Sequence, residues 1–178
     1  MKRILVAGMG NVSAGDDAFG VEVVRLLGYR PLPPQVTVAN FGLRTYDLAF
    51  AILEGYEATI LVDAMARGEK PGTVSLIEPD LHEAGRYDDG FGEGYNLSPQ
   101  RVLEILRLFG GQSGRVYIIA CEPELLESRE GQTGLSPALR DAVPQAVELI
   151  EKIIRQLLGA AAEVKPLALA SSTQFIES

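Results

Sequence analysis

The chain has 178 residues, 47% of them hydrophobic and 22% charged, with a formal net charge of -8 at pH 7. That is the balance of one soluble globular domain with a real core. It excludes nucleic acid and anionic membrane as partners, because phosphate contacts need clustered Lys and Arg and no basic run exists.

Met1 to Ala7 imitates a signal peptide, but the apolar run is too short and no cleavage-like site follows. No segment reaches about eighteen consecutive apolar residues, so no membrane span is expected and the cytoplasm is the expected compartment. Residues 3–8, "RILVAG", read as a buried strand. Residues 16–27 read as a helix, with Phe19, Val23, Val24, Leu26 and Leu27 near one face and Gly28 as its stop. Residues 36–39 predict a second strand and residues 44–54 a helix. "ATILVD", 58–63, is continuous and β-rich, as a central parallel strand should be. Lys70-Pro71-Gly72 turns the chain into "TVSLIEP", an extra strand, and residues 80–96 are a glycine-rich acidic loop.

Two helices announce themselves with the same signal. Ser98-Pro99 precedes "QRVLEILRLF", and Ser136-Pro137 precedes "ALRDAV". Serine caps free amides, and proline fits the first helical position because its missing N–H costs nothing there. Strand 115–120, "RVYIIA", lies between them. Pro144 should kink or restart the last helix, which runs to about Leu158. The alternation implies one α/β domain over residues 1–158, a three-layer α/β/α sandwich with a mostly parallel twisted sheet, followed by a loosely ordered tail, 159–178.

The stretch "GMGNVSAGDDAFG", residues 8–20, resembles a phosphate-binding glycine loop but departs from it. Ser13 replaces the third glycine, Asn40 stands where an acidic ribose ligand would end the second strand, and Asp16 and Asp17 would repel a phosphate. An Asp capping the helix explains one carboxylate and not two. Asp63 ends the third strand, and ligands of open α/β sheets gather at the carboxyl ends of strands. Asp17 and Asp63 either converge on a divalent cation across that crevice or are surface caps that never meet.

Taken together, "GMGNVSAGDDAFG", "ILVDAMARGEKPGT", "NLSPQRVLEILRLFGG", "IIACEPE" and "TGLSPALRDAV" resemble, in order, the nickel–iron hydrogenase maturation endopeptidases over about residues 3–155. The resemblance implies a three-layer α/β/α fold and an endopeptidase that removes the C-terminal extension of the hydrogenase large-subunit precursor after nickel insertion. It implies metal contacts from Asp17 and Asp63, which would also be catalytic, and a third from a family histidine whose position is Tyr95 here. It also implies nickel carried by the substrate, with other divalent metals able to substitute. A neutral phenol is a poor nickel ligand beside imidazole, and Asn40 replaces a further family acidic residue.

His82, the sole histidine, lies in the acidic loop with Asp88, Asp89 and Glu93, as alternative ligands or as solvated residues. Glu122 follows the strand at the same sheet edge, as a site residue or a turn residue with Pro123. Cys121, the only cysteine, reads as a small buried hydrophobe and leaves no disulfide framework or cysteine zinc cluster. The competing functions are a weakly catalytic or non-catalytic checkpoint protein that binds the nickel-loaded subunit, and a small-ligand domain using the glycine loop. Sequence does not set the oligomeric state.

Overall fold

Apolar strands alternate with amphipathic helices along this chain, and burying both kinds of element sorts them into three layers. The computed structural model describes residues 2–80, 98–110, 114–124, 133–159 and 175–176. Strand β1 (Ile4–Met9) is followed by a 3-10 turn (Gly15–Ala18), α1 (Phe19–Leu27), β2 (Val36–Gly42), α2 (Thr45–Leu53) and β3 (Ala58–Ala64). Then come β4 (Val74–Ile77), α3 (Pro99–Leu108), β5 (Arg115–Cys121), α4 (Pro137–Leu158) and the two-residue β6 (Phe175–Ile176). The sheet order is β4-β5-β3-β1-β2-β6. All neighbours pair in parallel except β4, which runs antiparallel to β5 at one edge. The expected α/β sandwich is therefore what this chain forms.

Alternation along the strands supplies both faces. Ile4, Val6, Val38, Ile60 and Val62 join α1 and α4 in one core layer. Leu5, Ala7, Ala39, Leu61 and Ile118 join α2 and α3 in the other. Every residue of β3 is buried, as a central strand covered on both faces requires. Each fully buried Leu or Ile contributes roughly 1.5–3 kcal/mol relative to exposure.

Several boundaries differ from the sequence reading. The helix expected from residue 16 begins as the 3-10 turn and becomes α-helical only at Phe19. Gly28 does follow α1, but with φ -62° it closes the helix in an ordinary helical conformation rather than a left-handed one. Both serine caps form: Ser98 Oγ accepts from the Arg101 amide and Ser136 Oγ from the Leu139 amide, each with proline next in line. Helix α4 passes through Pro144 without restarting. Pro144 and Arg140 both lie on its exposed side, so the carbonyl released by the proline faces solvent. Of the expected tail, Phe175 and Ile176 pair with Val38 and Ala39; residues 160–174 and 177–178 lie outside the described residues.

Candidate active site

The chain lays β2 on one side of β1 and β3 on the other, so the direction of winding reverses between β1 and β3. A crevice opens at the carboxyl ends of strands at such a point. Two loops meet there: the glycine loop leaving β1, which carries Asp16 and Asp17, and the end of β3, which carries Asp63.

Close backbone approach builds the first loop. The start of α1 sits so tightly on the sheet that a Cβ at Gly20 would lie 2.1 Å from the Val62 carbonyl oxygen. Gly10 has φ +118°, and a Cβ there would lie 1.8 Å from the Asp17 carbonyl oxygen. Only glycine meets both demands. The 3-10 turn is thereby pressed against the end of the sheet, and its two adjacent carboxylates take different routes.

Asp17 turns back into its own loop, where the Asn11 amide donates to Oδ2 at 2.8 Å. In a dinucleotide loop a phosphate oxygen would take such an amide; here the Asp17 carboxylate takes it. Burial raises the Asp17 pKa, and the Asn11 hydrogen bond only partly opposes the shift. Asp63 is 4% exposed. Its Oδ1 is buried with no hydrogen-bond partner among the described residues. Burial holds the Asp63 carboxyl well above its ordinary range, the charge of Asp17 raises it further, and the Ala64 amide lowers it. The two carboxylates are thus placed at one sheet end, close enough for the charge of Asp17 to bear on Asp63. They are not independent surface caps.

Asp16, with 3% exposure, binds backbone amides of a different segment. Its Oδ1 accepts from the Ser136 amide at 2.7 Å and its Oδ2 from the Glu124 amide at 2.8 Å. Neither Asp16 nor Asp17 caps α1 with its side chain. Glu122 is buried, and its carboxylate accepts from the amides of Arg67 at 2.7 Å and Gly68 at 3.3 Å in the loop after β3. Sequence reading missed both bridges. The only signal was that these acids stand beside strand ends. Cys121 is fully buried, and its thiol is pushed up to about 12 by burial and by the charges of Asp16 and Glu122. It is a core residue and not a nucleophile.

Asn40 lies two residues before the end of β2, in register with Gly8, and its Oδ1 is another buried atom without a partner among the described residues. Tyr95, His82, Asp88, Asp89 and Glu93 lie outside the described residues. Among the described residues, no group of three His, Cys, Asp or Glu converges as a metal site. Also among them, no helix is long and apolar enough to cross a membrane.

Paired carboxylates at a switch point are compatible with several chemistries, and comparison with known proteins narrows the choice. The sequence model described as HycI, hydrogenase maturation protease, matches residues 21–153. The hydrogenase expression/formation protein HupD of Rhodobacter capsulatus is 31% identical over 178 aligned residues, covering 92% of this chain and 75% of HupD. The hydrogenase 2 maturation protease of Escherichia coli is 27% identical over 156 residues, covering 86% of this chain and 92% of the relative. The solved structure of the hydrogenase maturating endopeptidase HybD from Escherichia coli superposes with a TM-score of 0.70 at 25% identity, covering 87% of this chain and 93% of HybD. With sequence match and fold in agreement, this chain belongs to the hydrogenase maturation protease family.

Proposed function

We propose that this endopeptidase removes a C-terminal extension from the precursor of a nickel–iron hydrogenase large subunit, and that Asp17 and Asp63 read a nickel ion that arrives with the substrate. The observation that carries the reading is the buried, unpartnered Oδ1 of Asp63 beside the charge of Asp17. A buried carboxylate oxygen left without a donor costs roughly 1–3 kcal/mol or more. A divalent cation relieves both that deficit and the repulsion between the two acids. The two residues fit a metal as oxygen donors, and an incoming subunit would supply the remaining ligands.

A metal held by Asp17 and Asp63 would supply Lewis-acid chemistry toward the scissile carbonyl. The protein's own contribution is positional. The tight packing of Gly20 on Val62 fixes the loop, the Asn11 amide fixes one oxygen of Asp17, and the burial of Asp63 excludes water around it. Metal binding requires both carboxylates to lose their protons, so affinity falls as pH falls.

The family histidine position, Tyr95, favours a second reading in which the fold and docking are retained and cleavage is weak. One experiment separates the two. The nickel-loaded precursor is incubated with wild type or Asp17→Asn, and the subunit is weighed by mass spectrometry. The endopeptidase reading expects C-terminal shortening, slowed roughly 10²-fold in Asp17→Asn, the order for losing one electrostatic stabiliser. Stable binding of the precursor without shortening establishes the checkpoint reading instead.

A further inference from the structure

Two buried carboxylates near the switch point are left out of the reaction just described, and both serve backbone amides. Asp16 joins the 3-10 turn to Glu124 and Ser136, which are 108 and 120 residues further along the chain. Glu122 joins the same stretch after β5 to Arg67 and Gly68, in the loop that leaves β3 behind Asp63. Backbone bonds reinforce the second joint: the Met65 amide donates to the Cys121 carbonyl at 2.9 Å, and the Gly72 amide to the Glu122 carbonyl at 2.8 Å. Residues 122–124 therefore carry one clamp toward each of the two loops that bear Asp17 and Asp63.

We infer that Asp16 and Glu122 form a bracket that sets the separation of Asp17 and Asp63, and that Asp16 is a positioning residue for the cleavage reaction. The inference rests on the proposed role of Asp17 and Asp63. Its logic is geometric. Asp17 sits on the turn whose preceding residue is anchored by two short bonds, to Oδ1 and Oδ2 of one side chain. A carboxylate is needed there because both facing groups are N–H donors. An amide in its place offers one oxygen and one NH2, so one donor meets another donor at about 2.8 Å. The turn must then shift, and Asp17 shifts with it. At Glu122 the second bond is longer, 3.3 Å to Gly68, so an amide is tolerated better there. Ligand geometry outside about 0.5 Å of its proper place loses most of its chemical value.

The test measures cadmium affinity by calorimetry, together with kcat and KM on the nickel-loaded precursor, for wild type, Asp16→Asn, Glu122→Gln, Asp17→Asn and Asp16→Asn/Asp17→Asn. Circular dichroism and melting select variants that remain folded. The bracket predicts that folded Asp16→Asn loses about tenfold or more in both cadmium affinity and kcat with KM nearly unchanged, the range for residues that orient a metal ligand. Glu122→Gln loses less. In the Asp17→Asn background, Asp16→Asn changes kcat less than about twofold, because the two act as one unit. A folded Asp16→Asn with wild-type cadmium affinity and kcat overturns the bracket and leaves the role of Asp17 and Asp63 intact. Additive losses in the double variant also overturn it. A wild type that neither binds cadmium nor cleaves overturns the role of Asp17 and Asp63, and the bracket with it. Should Asp16→Asn fail to fold, the Glu122→Gln variant decides: unchanged cadmium affinity and kcat overturn the bracket, a few-fold loss in both supports it.

Discussion

Asp63 carries an ionisation cost, because burial disfavours its charged form. Its carboxyl is held well above the ordinary value of 3.8 by burial first and by Asp17 second. A group whose folded pKa is raised binds more protons folded than unfolded, so stability is lost as pH rises from the unfolded value through the folded one. Asp63→Asn removes the charge at constant volume. Without metal, the variant is expected to melt at a higher temperature than wild type at pH 7, with the difference shrinking as pH approaches 4; thermal melts across this range check it. With cadmium present the order reverses, because wild type gains a ligand-bound state that the variant lacks. At Tyr95, where the resemblance places the family histidine, Tyr95→His should tighten cadmium binding about tenfold or more, and the gain should fade below the usual imidazole range near pH 6.5. An unchanged affinity, with a loss in His82→Ala, assigns the third ligand to His82. Strand-end placement leaves Asp17 and Asp63 open between a shared ion and separate caps, and only the family resemblance assigns both to a metal. The bridges of Asp16 and Glu122 were not legible, since their partners are backbone amides far along the chain, which leave no side-chain pattern to read.

At the scale of elements, the Ser-Pro signal marks the starts of α3 and α4, and the ends of α1 and α4 fall at Leu27 and Leu158 as the sequence indicates. Ser98-Pro99 and Ser136-Pro137 begin α3 and α4 where the capping signal placed them. Ser136→Ala should cost about 1 kcal/mol by removing the cap, or roughly 2–4 °C in Tm for a chain of this size. Its backbone amide still reaches Asp16, so cleavage should be nearly unchanged per folded molecule. Steric contact, in contrast, governs the junction of α1 with the sheet. A methyl group at Gly20 meets the Val62 and Met9 carbonyl oxygens at 2.1 and 2.5 Å, and backbone cannot yield as a flexible side chain does. Gly20→Ala is expected to cost about 3 kcal/mol, the upper end of ordinary overpacking, measurable by urea unfolding. The 3-10 turn ahead of α1 was read as the first turn of that helix, because apolar periodicity does not distinguish i→i+3 from i→i+4 bonding over four residues. At Pro144 the helix continues rather than restarts, because the freed carbonyl of Arg140 lies on the exposed side, which the sequence alone does not show.

Across the whole molecule, strand order converts three separate local features into one site. With β1 central, β2 to one side and β3 to the other, the glycine loop and the end of β3 open into one crevice. Parallel pairing brings Asp63 level with Ala120 of β5, so residues 122–124 reach both loops from beyond that strand. The sequence order of strands and helices was enough to infer the layers, but the winding that places β1 between β2 and β3 is a long-range property with no local signature. The central claim is that Asp17 and Asp63 hold one metal ion at this switch point. The most direct test is a crystal of the protein soaked in cadmium and examined by anomalous scattering. A single strong peak within about 2.6 Å of carboxylate oxygens from both Asp17 and Asp63 is the predicted result. A peak elsewhere, with both carboxylates turned away from it, would contradict the account.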